Sequence, residues 1–180
     1  MMKKILILSG SPRVNGNSSL LCDEFAKGAR EAGHEAEKII IAKKKVGGCF
    51  GCSACMRNGG NCVQKDDMIE IREKMIAADI IVLSSPIYYY TVSAQLKAVI
   101  DRCYAFGHDK LCKKTFYYII SCAAPTEDYA DTMLATLRGF VSCAPEAKEG
   151  GYILACDTHD AGDVKNTELM KKAFEMGKNV

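Results

Sequence analysis

Four cysteines in a short stretch, Cys49-x2-Cys52-x2-Cys55-x6-Cys62, carry the sharpest chemical signal in the chain. Gly48 and Gly51 let the backbone curl around the first three thiols, and Gly59-Gly60 can return it to bring in Cys62. Four thiolates are the ligand set of a [4Fe–4S] cluster, and close C-x2-C-x2-C spacing is typical of that site. A structural zinc usually draws on two separated C-x2-C pairs, which fits this spacing less well. Free or redox-active thiols are the third reading of the same residues.

A second set of residues could hold an anion. Ser9-Gly10-Ser11-Pro12-Arg13-Val14-Asn15-Gly16-Asn17-Ser18-Ser19 is dense in hydroxyls and amides and carries one arginine. Backbone N–H groups at a helix start, aided by the helix dipole, bind phosphate well. Ser11, Ser18 and Ser19 can add hydroxyl donors, and Arg13 can add charge-assisted ones. The chain lacks Gly-x-x-x-x-Gly-Lys-[Ser/Thr], which argues against a nucleoside triphosphatase. It also lacks Gly-x-Gly-x-x-Gly after the first apolar run, so the dinucleotide fingerprint is absent.

These residues need a scaffold, and the hydrophobic pattern supplies one. Short apolar runs at Lys4–Ser9, Ala36–Ile41, Asp79–Ser85, Thr115–Cys122 and Tyr152–Cys156 predict strands buried on both faces of a parallel sheet. Helical spacing follows each. Leu21, Phe25 and Ala29 form one face; Met68, Ile71 and Met75 follow the acids Asp66-Asp67. Val92, Leu96, Ile100 and Cys103 share a third face, and Met133, Leu137 and Val141 a fourth. Leu169, Ala173 and Met176 mark the last helix, ending at Gly177. Five β-α units with right-handed crossovers predict a doubly wound α/β sandwich, flavodoxin-like, with strand order 2-1-3-4-5. The whole chain, 1–180, is expected to form one domain. Its single long connection, about 42–65, holds the four cysteines, and so long a loop is ordinarily functional or disordered.

Composition narrows the functional classes. Hydrophobic residues make up 48% and charged residues 26% of 180, which suits a soluble globular protein. The 24 basic and 22 acidic residues leave +2 and no basic stripe, so nucleic acid is not an expected partner. Lys43-Lys44-Lys45 reads as a solvated loop edge. The N-terminal apolar stretch Ile5–Leu8 is shorter than the about 7 residues a secretion signal needs, and nothing approaches a membrane span. A cytoplasmic protein is therefore expected. In that reducing compartment ten cysteines point to metal or redox chemistry rather than disulfides. The six outside the loop read as core, although Cys122 and Cys156 sit at strand ends where a cofactor could approach.

Ser-Gly-Ser-Pro-Arg-x-x-Gly-Asn-Ser resembles the FMN-phosphate loop of the NAD(P)H-dependent FMN reductases, a flavodoxin-like family. Two further blocks agree in order: Ser85-Pro86-Ile87-Tyr88 with Ser93-Ala94-Gln95-Leu96-Lys97 and Asp101-Arg102, then Ala161-Gly162-Asp163-Val164. The resemblance implies that Ser11, Arg13, Asn17, Ser18 and Ser19 surround an FMN phosphate and that Pro86, Ile87 and Tyr88 line the flavin. Tyr89 and Tyr90 stay open, and Ser121–Thr126 forms the third wall by topology. Lys97, Asp101 and Arg102 read as ion pairs at helical spacing. The cysteine motif resembles that of the iron–sulfur flavoproteins, a branch of the same superfamily, with Cys49, Cys52, Cys55 and Cys62 as ligands.

Together these readings predict an FMN-dependent oxidoreductase with no catalytic side chain of its own, because the cofactor supplies the chemistry. NAD(P)H is the expected donor, and a quinone, a nitro or azo compound, a flavin or a ferredoxin the acceptor. The alternative is an electron carrier serving ferredoxin without a small-molecule substrate; the +2 charge weighs against it. A thiol-based sensor is a third class. The resemblance also implies a homodimer or homotetramer.

Overall fold

A computed structural model describes residues 1–180. The sheet has five parallel strands in the order β2-β1-β3-β4-β5. They are β1 (Lys4–Ser9), β2 (Glu35–Ile40), β3 (Ile80–Pro86), β4 (Thr115–Ser121) and β5 (Lys148–Ala155). Strands β1, β3 and β4 are buried almost throughout, as near-continuous Ile, Leu and Tyr runs require when helices cover both faces. The edge strand β2 differs from the expectation of full burial: only Ile39 is fully covered, and Lys38 reaches to Asp23, 2.5 Å away.

Successive side chains point to opposite faces, so the core divides in two. Helices α1 (Asn17–Glu31) and α6 (Glu168–Lys178) cover Ile5, Ile7, Val82 and Ile119. Helices α3 (Met68–Ala77), α4 (Ala94–Arg102) and α5 (Asp131–Ser142) cover Leu6, Leu8, Leu83 and Tyr118. A one-turn helix, α2 (Ala54–Arg57), lies within the cysteine loop.

Beyond one-residue differences at the ends of β2, β3, β4 and β5, three boundaries depart from the sequence reading. β5 begins four residues earlier than Tyr152, with Gly150-Gly151 inside the strand at an irregularity where the pairing register shifts against Phe116 and Tyr117. Any side chain at Gly150 would meet the Tyr117 ring at 2.3 Å. Gly177 does not end α6 but lies inside it, pressed against α1: a Cβ there would stand 2.0 Å from the Phe25 carbonyl oxygen. Val92 precedes α4, whose N-cap is Ser93.

Candidate functional site

Strand order reverses between β1 and β3, and ligands in such sheets bind beyond the carboxyl ends at that switch point. A cavity of about 600 Å³, counting its open mouth, lies there. Ser11, Arg13 and Asn17 form one side, Pro86, Ile87 and Tyr88 a second, and Ser121, Cys122 and Ala123 a third. Thr158, His159 and Ala161, from the loop after β5, form a fourth that the sequence reading did not assign. The block Ala161-Gly162-Asp163 had marked that loop, and the rule that every carboxyl-end loop faces the cleft would have included it.

The phosphate loop is buttressed from below. Gly10 N–H donates to the Ser84 carbonyl at 2.7 Å, and Ser93 Oγ donates to the Gly10 carbonyl at 2.7 Å. The same Ser93 hydroxyl accepts the Leu96 N–H and caps α4, while its own N–H donates to Ser85 Oγ at 2.9 Å. One buried serine thus ties the two sides of the cleft to a helix start.

At the start of α1 the N–H groups of Asn17, Ser18 and Ser19 find no acceptor in the protein, and Gly16 provides no side-chain cap. Ser18 is buried and its hydroxyl also lacks a partner. Ser11 Oγ accepts the Arg13 N–H and donates to the Arg13 carbonyl, which shapes the turn. Asn17 does something else: its amide donates to the Asp160 carbonyl at 2.9 Å and accepts the Gly162 N–H at 3.0 Å. It clamps the loop after β5 onto the phosphate loop, and Arg13 adds a contact to the His159 carbonyl at 3.4 Å. Ser18 and Ser19 are not on the cavity wall; Ser19 Oγ accepts from Lys38 at 3.2 Å.

Beyond β3 the chain makes a tight reversal closed by hydrogen bonds between Tyr88 and Thr91. Tyr89 and Tyr90 both have positive φ, 47° and 67°, uncommon for bulky residues. Tyr88 faces the cavity, Tyr89 is 99% exposed, and Tyr90 stacks on Tyr129 with ring centroids 5.9 Å apart. On the third wall, Cys122 Sγ lies 3.7 Å from Cys156 Sγ. Burial, and then the Cys156 neighbour, push the Cys122 thiol up to about 12, so it stays protonated at neutral pH.

The cysteine loop is closed at its neck. Asp67 accepts the Lys45 N–H at 2.7 Å, Asp66 accepts the Gly47 N–H at 3.1 Å, and Gln64 donates to the Gly48 carbonyl at 2.9 Å. Beyond the neck Cys49, Cys52, Cys55 and Cys62 line one cavity, walled by Asp101 and Arg102 at the end of α4 and by Tyr104 just after it. No three His, Cys, Asp or Glu side chains anywhere in the chain are gathered into a compact ligand set. Lys97 and Asp101 do pair along the helix, at 2.6 Å. Arg102 pairs instead with Asp66 across 36 residues of chain.

Residues 3–148 match the family described as NADPH-dependent FMN reductase. The chain belongs to that family. It is 44% identical to an iron–sulfur flavoprotein of Archaeoglobus fulgidus over 99% of its own length and 79% of that protein's. It is 42% identical to the iron–sulfur flavoprotein of Methanosarcina thermophila, over 55% of this chain and 51% of the relative. An NAD(P)H:quinone oxidoreductase from Methanothermobacter marburgensis superposes with a TM-score of 0.80 over 99% of this chain and 96% of that one, at 18% identity, so the likeness is one of fold. As a member of the FMN reductase family the chain is an oxidoreductase.

Proposed function

We propose that this FMN reductase family member is an iron–sulfur flavoprotein that takes electrons from NAD(P)H and passes them on through a [4Fe–4S] cluster. The cleft at the switch point suits FMN. The unpaired N–H groups of Asn17, Ser18 and Ser19, with the orphaned Ser18 hydroxyl, are donors that a phosphate would satisfy. Arg13 brings the positive charge, and Pro86, Ile87 and Tyr88 offer a stiff, partly aromatic wall for the ring. The Asn17 side chain acts as a clamp that orients the fourth wall, leaving its backbone N–H for the phosphate. FMN, when bound, accepts two electrons together and can release them singly.

The observation that carries the cluster is that Cys49, Cys52, Cys55 and Cys62, four thiols at close C-x2-C-x2-C spacing, line one cavity. A structural zinc more often draws on two separated C-x2-C pairs. Helix α4 joins the two sites: Ser93 caps it beside the flavin cleft, and Arg102 ends it beside the cysteines. At 1.5 Å per residue its nine residues span about 14 Å.

Acceptors of the classes expected from sequence, a quinone, a nitro or azo compound, a flavin or a ferredoxin, fit this reading. No helix is long and apolar enough to cross a membrane, and the working form is proposed to be a homodimer or homotetramer. Anaerobic mixing of the flavin-loaded protein with NADH or NADPH tests the donor. Bleaching of the flavin by a nicotinamide alone is the expected result. Reduction only through reduced ferredoxin would make the protein a carrier and overturn the reductase assignment.

A further inference from the structure

Arg102 is the last residue of a surface helix, yet its side chain is only 1% exposed. Its Nη1 donates to Asp66 Oδ2 at 2.8 Å and to the Gly47 carbonyl at 3.0 Å, and its Nη2 donates to Asp66 Oδ1 at 3.0 Å. Gly47 lies just before the four cysteines and Asp66 just after them, so one guanidinium holds both strands of the loop's neck. Its Nε is buried and has no acceptor. A donor left unused in the interior is costly. The guanidinium also forms part of the wall of the cysteine cavity, which Cys62 lines too. A neutral thiol accepts hydrogen bonds weakly, whereas a metal-bound thiolate is a much better partner.

We propose that Arg102 is a positioning residue of the cysteine site: it clamps the loop's neck, and its free N–H hydrogen-bonds the sulfur of Cys62 when that cysteine is a cluster ligand. The inference rests on the cluster assignment made above. Its physical consequence is electrical. Reducing a cluster adds negative charge, and N–H donors and positive charge beside the ligand sulfurs stabilise the reduced form. Lysine cannot substitute fully, because a single ammonium cannot span Gly47, both Asp66 oxygens and Cys62 at once.

The test compares the full-length chain with Arg102→Lys and Arg102→Gln, each reconstituted anaerobically with FMN, iron and sulfide. Iron and sulfide per flavin are assayed, and the cluster is titrated by electron paramagnetic resonance. Arg102→Lys is expected to keep FMN and cluster but to shift the one-electron reduction equilibrium about tenfold against reduction, or about 59 mV more negative. Arg102→Gln, which also loses the charge, is expected to shift further. If Arg102→Gln sheds its iron, Arg102→Lys alone decides. Should both variants lose FMN as well, the fold has failed, and Asp66→Asn takes their place. It frees the fork but keeps the buried charge, and its expected mark is faster iron loss at a shifted potential. Intact clusters at the wild-type potential in these variants would reduce Arg102 to a structural ion pair and overturn the proposal. A wild-type chain that binds FMN but no iron would instead overturn the cluster assignment beneath it.

Discussion

Ser18 carries a buried hydroxyl with nothing to bond to, at a helix start whose first N–H groups are equally unpaired. Such a concentration of unused donors is expensive unless an anion completes it. Ser18→Ala removes one charge-assisted bond, worth about 1.5–3 kcal/mol, so FMN affinity should fall roughly ten- to a hundredfold by fluorescence titration. Ser18→Asp adds like charge and should abolish binding while the far-ultraviolet circular dichroism stays native. Tyr89 is a different case. Holding an aromatic residue at φ 47° costs about 1–3 kcal/mol, and its ring is wholly exposed. Tyr89→Asn, which tolerates that conformation, should raise stability by about 1 kcal/mol in urea unfolding; no change would mean that the turn is unstrained. The hydroxyl-rich loop and Pro86-Ile87-Tyr88 were legible as residue types in the sequence. That Asn17 turns away to Asp160 and Gly162, and Ser19 to Lys38, was not, because those partners lie 143, 145 and 19 residues away.

At the scale of elements, the β-α alternation could be read because strands buried on both faces have near-continuous apolar sequences. The edge strand β2 and the glycine-interrupted start of β5 were harder to place, since neither follows that rule. Close packing of α1 on α6 rests on two glycines seated against the opposite backbone. A Cβ at Gly28 would lie 2.0 Å from the Phe174 carbonyl oxygen, and one at Gly177 equally near that of Phe25. Alanine is intrinsically better in a helix by roughly 1 kcal/mol, yet Gly28→Ala should destabilise by about 3 kcal/mol as the helices are forced apart. Stabilisation by that change would contradict this packing. The cysteine loop is an element in its own right, and its neck depends on Asp66. Burial alone would raise that carboxyl, but hydrogen bonds from Arg102 and from the Gly47 and Met68 N–H groups hold it below the ordinary value of 3.8. A group with a lowered folded-state pKa contributes stability that is complete above its unfolded value and lost as pH falls through the folded one. The neck should therefore stay closed at neutral pH and open only below about pH 3.8. Hydrogen exchange at Gly47 and Met68, followed through acid, would show it; opening near pH 6 would not fit.

Taken whole, the molecule places two candidate redox sites at the two ends of α4, one built from four loops at the sheet's carboxyl edge and one from a single long insertion. The sequence already separated them, since the phosphate loop and the cysteine motif stand apart in the chain. It did not reveal that Arg102 holds the neck of the cysteine loop, because an arginine beside Asp101 at a helix end looks like any surface pair. Folding turns it inward to Asp66 instead. Electron transfer as proposed requires both sites to be filled together. The absorption spectrum of protein purified without oxygen, with iron and acid-labile sulfide assayed on the same sample, tests this most directly. Flavin bands over a broad, dithionite-bleachable shoulder are expected, with about four irons and four sulfides for each chain. A flavin spectrum with no iron or sulfide after anaerobic reconstitution would refute the two-site assignment.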